Sequence, residues 1–273
     1  MTMQESAHDY GRYKALKLSL ANGILTVTLS NPSRRNATTP EMSDELLTIW
    51  DDLQNDPAVR VIILTGEGND FCSGADLSRR KAEAGTVAAR PVNRTTARAR
   101  RHIFALMDCE KPVIAKVRGV AYGIGVTLAL ACDMVFAEEG ARLCDSHVKA
   151  GMVAGDGGVL LWPLLVGPHR AKEFLMTGDP VPAPQAASMG LINRCLPEAE
   201  LDSAVQAMAE KLRDLPPHAV NYTKASLNVA IRQMTGAAFE ASLAYEIYTM
   251  GMDDCREAVA AFAEKRPGRF KGM

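Results

Sequence analysis

Two glycine-containing segments of this chain follow β-rich runs and could bring backbone amides to a negatively charged oxygen. One is VIILTGEGNDFCSGADL, Val61 to Leu77, and the other is KPVIAKVRGVAYGIGVTLALACDMVFA, Lys111 to Ala137. In the second, a turn of small residues, Gly119 to Gly125, leads into an apolar helical segment. Unpaired N–H groups and the dipole at a helix N-terminus favour negative charge. Two amides aimed at one point would make an oxyanion hole for an enolate.

Together the two segments resemble the crotonase superfamily, the enoyl-CoA hydratase/isomerase family, and the likeness extends over nearly the whole chain. The resemblance implies an α/β fold, a crotonase-like spiral of repeated β-β-α units with a C-terminal helical subdomain. It also implies that the two amides are those of Ala75, in CSGADL, and Ile124, in AYGIGV. A thioester enolate is too basic to persist free in water near neutral pH, so such donors would stabilise it substantially.

The resemblance further locates the two glutamates with which hydratases of this family activate water and deliver a proton. They fall on Thr127 and His147, so both carboxylates are missing. Asp156, nine residues after His147, is a candidate partner for the imidazole. A carboxylate fixes the tautomer of a histidine and stabilises the imidazolium. Asp145 is closer in sequence, but we expect it to point away if residues 143–147 are extended, and to cap a turn.

The acidic candidates also have structural interpretations. Asp156 precedes two glycines and could be the N-cap of the next helix. Glu246, in AYEIYTM, falls where the β-diketone hydrolase branch, which resembles 6-oxocamphor hydrolase, has a further acidic residue. A solvated helix residue is the alternative for Glu246. The histidines other than His147 show no metal-ligand spacing, so no metal is predicted.

The resemblance implies coenzyme A as the carrier of the substrate, with no prosthetic group. The loop at 34–37 matches the family loop that runs along the pantetheine and phosphates, and guanidinium forks suit phosphate. A solvated basic turn is the alternative there. The segment at 261–271 looks like the family's adenine and phosphate contacts. The residues assigned to coenzyme A on this basis are Arg34, Arg35, Ala37, Ser73, Phe262 and Lys265.

Three functions remain open from the sequence. The first is an enzyme of fatty acid metabolism, a hydratase-like lyase or isomerase, that holds the enolate of an acyl-CoA thioester and uses His147 as its acid/base. The second is a retro-Claisen hydrolase that cleaves a C–C bond of a β-diketone with water activated by His147 and Asp156. The third is a non-catalytic scaffold or RNA-binding member, which only an arginine cluster within residues 90–101 favours.

Composition limits these functions. The 273 residues are 47% hydrophobic and carry a formal net charge of -1, which argues against dedicated nucleic-acid binding. The six cysteines show no CxxC spacing, which predicts free thiols in a reducing compartment. No secretory signal is visible in the polar first residues, and no apolar run reaches membrane-spanning length, so a cytoplasmic location is expected.

Periodicity and turn chemistry predict the elements that must position the site. Asn22-Gly23, between β-rich runs at 14–20 and 24–29, predicts a hairpin. Thr39-Pro40 predicts an N-cap followed by the first residue of a helix. Residues 79–95 lack periodicity and are expected to form a mobile segment over the site. Further elements are predicted as strands at 60–65 and 112–117 and a helix at 96–109.

From residue 197 onward the pattern changes to helices. An amphipathic stripe through Leu201 and Leu212 precedes helical stretches at 218–234, 237–252 and 254–264. We therefore divide the chain into an α/β core, 1–196, and a C-terminal helical oligomerisation region, 197–273. In the resembled family this region supports trimers that pair into hexamers.

Overall fold

The structure, a computed structural model, describes residues 8–76 and 92–272; of residues 92–96 it describes the backbone alone. The segment expected to be mobile is 79–95. Its residues 79–91 lie outside the described part of the chain.

The first two strands form the hairpin that Asn22-Gly23 predicts. Strand β1 (Leu16–Ala21) pairs antiparallel with β2 (Ile24–Leu29). Asn22 and Gly23 have φ values of 52° and 78°, the left-handed pair that a type I′ turn requires. The predicted hairpin is confirmed.

The remaining strands build two sheets. In chain order they are β3 (Val61–Gly66), β4 (Val113–Val117), β5 (Val120–Tyr122), β6 (Met134–Glu138), β7 (Arg142–Cys144), β8 (Val181–Pro182) and β9 (Arg194–Leu196). The larger sheet has the order β1-β2-β3-β4-β6-β9 and is parallel from β2 onward. The smaller one has the order β5-β7-β8, with β5 parallel and β8 antiparallel to β7. Parallel strands joined through helices confirm the α/β class.

Helices connect and cover these sheets. They are α1 (Pro40–Leu46), α2 (Ile49–Asn55), α3 (Val92–Asp108), α4 (Ile124–Ala131), α5 (Gly158–Val166), α6 (Pro168–Thr177), α7 (Ala183–Ser188), α8 (Glu198–Asp214), α9 (Pro217–Met250) and α10 (Asp253–Ala263). Helix α1 begins as predicted: the Thr39 hydroxyl accepts a hydrogen bond from the Met42 amide, 3.2 Å away. Helix α3 begins at Val92, four residues before the predicted start.

Helix α9 differs from the prediction because it is one helix where two were expected. Gly236 lies inside it, between the predicted stretches 218–234 and 237–252. A glycine in a helix interior costs only about 1 kcal/mol relative to alanine. Packing of α9 against α3 and α5 outweighs that cost. The helix therefore continues unbroken.

The core has a layer on each face of the larger sheet. In β3, Ile62 and Leu64 point into the main core, whereas Val61 and Ile63 point the other way. The second face is covered by α8, whose Leu201 packs against it. This two-sided burial explains why β3 is apolar throughout rather than alternating.

The helices after residue 197 thus pack on the rest of the chain, and the division at 196/197 stays a prediction. Helix α9 also exposes large apolar side chains. They are Tyr222, Leu227, Val229, Met234, Tyr245 and Tyr248. Self-association through this region is likewise a prediction that a single chain does not test.

All six cysteines are free thiols, as predicted, and all but Cys195 are buried. Among residues 8–76 and 92–272, no helix combines the length and apolar content that crossing a bilayer requires.

Candidate active site

Asn36 fastens the loop after β2 to the loop after β3. Its side-chain amide donates to the carbonyl oxygens of Glu67, at 2.9 Å, and Asp70, at 2.7 Å, and the residue is wholly buried. Its own Oδ1 accepts from the Asn31 amide at 3.0 Å. These bonds hold residues 34–38 beside residues 73–76.

Ala75 lies on this second segment, in a single parallel bridge with Thr38. The Thr38 amide donates to the Gly74 carbonyl at 2.8 Å, and the Asp76 amide donates to the Thr38 carbonyl at 3.2 Å. In a parallel bridge this pattern leaves the N–H and C=O of the middle residue, Ala75, facing the opposite side. The Ala75 amide is therefore directed away from Thr38.

Ile124 is the first residue of α4, so its N–H has no acceptor within the helix. The chain enters α4 through Gly123, whose φ of 53° and ψ of -125° suit glycine alone. A side chain on Gly74 would lie 3.9 Å from the Gly123 α carbon. Since Ala75 and Ile124 directly follow these two touching glycines, the structure brings the two predicted amides into adjoining turns.

His147 is the first residue of a short 3-10 helix, His147–Ala150, and its side chain is 8% exposed. Its Nδ1 lies 2.6 Å from Asp145 Oδ1, and its Nε2 lies 3.3 Å from Asp156 Oδ2. The expectation that Asp145 points away is wrong. Strand β7 ends at Cys144, and Ser146 (φ -92°, ψ 9°) turns the chain, so residues 143–147 are not extended.

Thr127, at the position of the family's first glutamate, contacts the carboxylate of Asp156. Its hydroxyl lies 3.3 Å from Asp156 Oδ1 and the same distance from the Gly123 carbonyl. The N-cap interpretation of Asp156 is wrong, because Gly157 is the N-cap of α5. A carboxylate absent from position 127 is thus supplied nearby by position 156.

Glu246 is buried, so its interpretation as a solvated helix residue is wrong. A side chain on Gly155 would lie 2.8 Å from Glu246 Oε2, so Glu246 packs directly over the backbone next to Asp156. The Ser242 hydroxyl donates to the Gly155 carbonyl at 3.1 Å. The Val153 amide donates to the Thr249 hydroxyl at 3.2 Å. One face of α9 therefore holds the loop that carries Asp156.

The two aspartates control the charge of His147. Burial by itself would lower the pKa of this imidazole, but the negative charges of Asp156 and Asp145 and the hydrogen bonds to both outweigh it. The pKa of His147 is raised well above its ordinary value. The two carboxylates therefore favour the imidazolium form of the ring.

Asp145, His147 and Asp156 also form a possible metal-binding group, with their ligand atoms within 4.8 Å of one another. A zinc ion sits about 2.0–2.2 Å from nitrogen and oxygen ligands. The 2.6 Å between Nδ1 and Asp145 Oδ1 leaves no room for an ion between them. Both ring nitrogens face carboxylates, an arrangement that fits proton transfer.

The structure brings together four of the residues assigned to coenzyme A. Arg34 Nη1 lies 3.5 Å from Asp76 Oδ1, and Arg35 Nε lies 3.7 Å from Asp70 Oδ2. Both guanidinium groups are largely exposed. Ser73 and Ala37 lie on the same paired segments, since the Ser73 hydroxyl donates to the Arg34 carbonyl at 3.0 Å.

The other two assigned residues lie at the end of the chain. Phe262 is exposed near the end of α10, and Lys265 follows with a φ of 53°. In the described part of the chain neither shares a hydrogen bond or an ion pair with the 34–38 loop. Within the described residues, the structure shows no such contact between the loop group, Arg34, Arg35, Ala37 and Ser73, and the C-terminal pair, Phe262 and Lys265.

Comparison with known proteins agrees with this arrangement. Residues 19–273 match the family model described as enoyl-CoA hydratase/isomerase. The chain is 31% identical to the 1,2-epoxyphenylacetyl-CoA isomerase of Escherichia coli, covering 92% of this chain and 95% of the relative. It is 32% identical to the short-chain-enoyl-CoA hydratase of Clostridium acetobutylicum, covering 89% and 92% respectively.

A crystal structure of an enoyl-CoA hydratase/isomerase from Mycobacterium paratuberculosis superposes with a TM-score of 0.82 at 31% identity, covering 90% of this chain and 97% of that one. Sequence and fold therefore agree over nearly the full length: this chain belongs to the enoyl-CoA hydratase/isomerase family of the crotonase superfamily.

Proposed function

We propose that this protein acts on an acyl-CoA thioester, holds its enolate with the amides of Ala75 and Ile124, and uses His147 in place of the missing glutamate. The observation that carries the proposal is the position of the His147 imidazole. A side chain on Gly123 would lie 4.0 Å from its Cε1, so the ring stands next to the residue that precedes the Ile124 amide. The relatives named above act, by their names, on coenzyme A thioesters.

The charges of the site suit transfer of a proton to and from carbon. Asp156, as a carboxylate, takes the proton from the α carbon, and the electron pair moves onto the thioester oxygen that the two amides hold. Transfer of a proton from the imidazolium of His147 to the γ carbon re-forms the carbonyl and completes an isomerisation. Asp156 then passes the α proton to Nε2 of His147, 3.3 Å away, which restores the carboxylate and the imidazolium. The carbonyl oxygen gains and then loses charge, so the amides act most strongly on the enolate.

Arg34 and Arg35 would hold phosphates of the carrier. Each guanidinium group is largely exposed, so it can reach an incoming anion. Ser73 and Ala37 belong to the same pair of segments, next to Ala75. The carrier would therefore pass along this loop and bring its thioester to the two amides. Phe262 and Lys265 are proposed as further contacts of the carrier.

A retro-Claisen hydrolase is the second candidate, and the contact between His147 and Asp156 favours it. Water activated by this pair would add to a ketone carbonyl of a β-diketone. The C–C bond would then break, its electron pair would form an enolate at the amides, and the enolate would take up a proton from His147. Glu246, over Gly155, is the further acidic residue of this candidate.

The arginine cluster does not support an RNA-binding function. Arg98 pairs with Asp44 at 2.5 Å, and Arg100 pairs with Glu240 at 2.6 Å. These guanidinium groups are engaged by acidic side chains of the same molecule. Arg90 lies outside the described residues, as does the side chain of Arg94.

His147→Gln is expected to lower kcat by about 100-fold on 2-enoyl-CoA and 3-enoyl-CoA thioesters, because general acid–base catalysis is worth about that factor or more. Calorimetry with acetoacetyl-CoA should show unchanged binding, since the loop that holds the carrier is untouched. His169→Gln is the matched control, because His169 lies exposed on α6. Full turnover by His147→Gln would contradict the proposal.

The same preparations also separate the two candidates. The wild-type protein incubated with 1,3-cyclohexanedione should yield no ring-opened keto acid if the thioester is the substrate. Ring opening without thioester turnover would replace the first candidate by the second.

A further inference from the structure

We propose that Asp145 is a positioning residue, which acts on the substrate only through His147 by determining which ring nitrogen carries the transferable proton. This inference rests on the proposed function, and it concerns a carboxylate that the chemistry above does not use. Asp145 is 1% exposed, so it cannot reach a substrate itself.

Asp145 holds both the ring and the backbone of His147. Its Oδ1 accepts from Nδ1 at 2.6 Å and from the His147 amide at 3.3 Å. One oxygen atom thus fixes the direction of the imidazole relative to its own main chain. Rotation of the ring would break the first of these bonds.

This contact determines the tautomer. A carboxylate is only an acceptor, so Nδ1 must carry a hydrogen whenever the bond to Asp145 is made. The proton that enters and leaves is then the one on Nε2, which faces Asp156 at 3.3 Å. Without Asp145 a neutral ring could place its single hydrogen on Nε2 and leave that nitrogen unable to accept a proton.

The second carboxylate oxygen shows how Asp145 is held. Oδ2 makes no hydrogen bond within residues 8–76 and 92–272 and is buried. A β carbon added at Gly158 would lie 2.1 Å from this Oδ2 atom. Gly158 is the first residue of the nine-residue helix α5, where the helix dipole favours a negative charge. The absence of a side chain at position 158 therefore makes the space that Asp145 occupies.

The remaining charged and titratable groups around the 147–151 turn are either neutral or paired. Burial raises the pKa of the Cys144 thiol to about 11, so the thiol is neutral. Lys149 pairs with Asp179 at 3.0 Å, beside the end of α6. Helix α10 packs on the turn through Cys255 and Asp254, and the Asp254 carboxylate accepts from the Lys271 and Gly272 amides. The groups on the elements packed on the turn are Asp145, Asp156, Cys144, Lys149, Asp179, Asp254, Cys255 and, across Gly155, Glu246. The two aspartates are therefore the charges that hold the imidazolium.

Asp145→Asn tests the inference, because it keeps the shape and removes the charge. The pKa of His147 is raised by Asp145 in the folded protein, so removing that charge lowers it. A step that needs the imidazolium is lost as pH rises through this pKa. The basic limb of the kcat–pH profile should therefore move to lower pH, with kcat reduced about tenfold and KM unchanged.

Gly158→Ala gives the same test without altering any group that carries a proton. The added methyl group would displace the Asp145 carboxylate, so the basic limb should shift in the same direction. Gly236→Ala is the matched control, because nothing lies within 4 Å of a side chain there. An unchanged limb in both Asp145→Asn and Gly158→Ala would overturn the inference.

NMR of His147 separates this inference from the proposed function and requires no turnover. The wild-type protein should show a strongly deshielded Nδ1–H resonance, and the titration of the ring should move to lower pH in Asp145→Asn. A wild-type ring that carries its hydrogen only on Nε2 would disprove the positioning role even if His147→Gln is inactive. The expected titration shift with an active His147→Gln would instead disprove the proposed function and leave the positioning role intact.

Discussion

Replacing Ile124 by proline is expected to lower kcat by about 1000-fold while α4 remains folded, because loss of one oxyanion donor costs about that factor. Proline lacks the N–H that the proposed chemistry requires at this position. It is nevertheless well suited to the first residue of a helix, where the N–H has no intrahelical acceptor. The preceding Gly123 has an extended, mirror-image conformation (φ 53°, ψ -125°) that remains open to glycine before proline.

Ile124→Ala is the matched control for this experiment. It shortens the side chain and keeps the amide, so its kcat should stay within about tenfold of the wild-type value if the amide is the functional group. Circular dichroism and thermal unfolding of both variants would confirm that α4 is intact. Equal turnover by the proline and alanine variants would show that this N–H does not hold the enolate.

Asp133→Ala is expected to lower the free energy of unfolding by about 3 kcal/mol, the cost of leaving a buried charge without its partner. Lys224 lies on α9 with 8% of its side chain exposed, and its ammonium group binds Asp133 Oδ2 at 2.8 Å. The Lys111 carbonyl, at 2.9 Å, is its other partner. Within the described residues the substitution leaves the ammonium group with that carbonyl alone, and it also removes the acceptor of the Val113 amide, 2.7 Å away. Urea unfolding followed by circular dichroism measures the change.

Asp214→Ala is the control for this ion pair. Asp214 pairs with Arg213 at 2.8 Å, but 67% of its side chain is exposed, and such a pair is worth at most about 1 kcal/mol. Lys224→Met should cost less than Asp133→Ala, because it removes the buried charge together with its partner contact. If Asp133→Ala and Asp214→Ala unfold at the same urea concentration, the interior pair contributes no more than a surface one.

The elements that the sequence predicts correctly are those set by neighbouring residues. Asn22-Gly23 supplies the two left-handed conformations of its turn, and Thr39 supplies its own capping oxygen. Helix α9 shows the limit of such local reasoning. Gly236 weakens a helix locally, but contacts of α9 with α3 and α5, more than a hundred residues earlier for α3, determine that it continues.

The site shows the same limit more sharply. The family resemblance makes Asp156 a candidate partner of His147, and the structure places Asp156 Oδ2 3.3 Å from His147 Nε2. The orientation of Asp145 depends on where β7 ends, and that strand pairs with β8 through Leu143 and Val181. A pairing between positions 38 residues apart leaves no local signal. The sequence does place Asp145 two positions before His147, directly after β7, and this spacing is the local feature that could have indicated their contact.

The burial of Glu246 also depends on residues that are distant in the sequence, so the sequence alone does not predict it. A glutamate in a helix is ordinarily exposed, so the sequence favours a solvated side chain. Gly155 and its neighbours cover Glu246 from another part of the chain. Which face of α9 is solvated is decided by that packing rather than by the helix itself.

Helix α9 holds the loop at 153–157 in place. The position of Asp156 therefore depends on α9, whereas the positions of the Ala75 and Ile124 amides depend on the strands. The segments of Ala75 and Ile124 extend from strands β3 and β5. The loop that carries Asp156 is instead held by α9, where the Ser242 hydroxyl donates to the Gly155 carbonyl and the Thr249 hydroxyl accepts from the Val153 amide. Substitutions on that face of α9 can shift the Asp156 carboxylate while the two sheets keep their positions. Substitutions in α9 could therefore change the reaction during evolution while the segments that carry the Ala75 and Ile124 amides are retained.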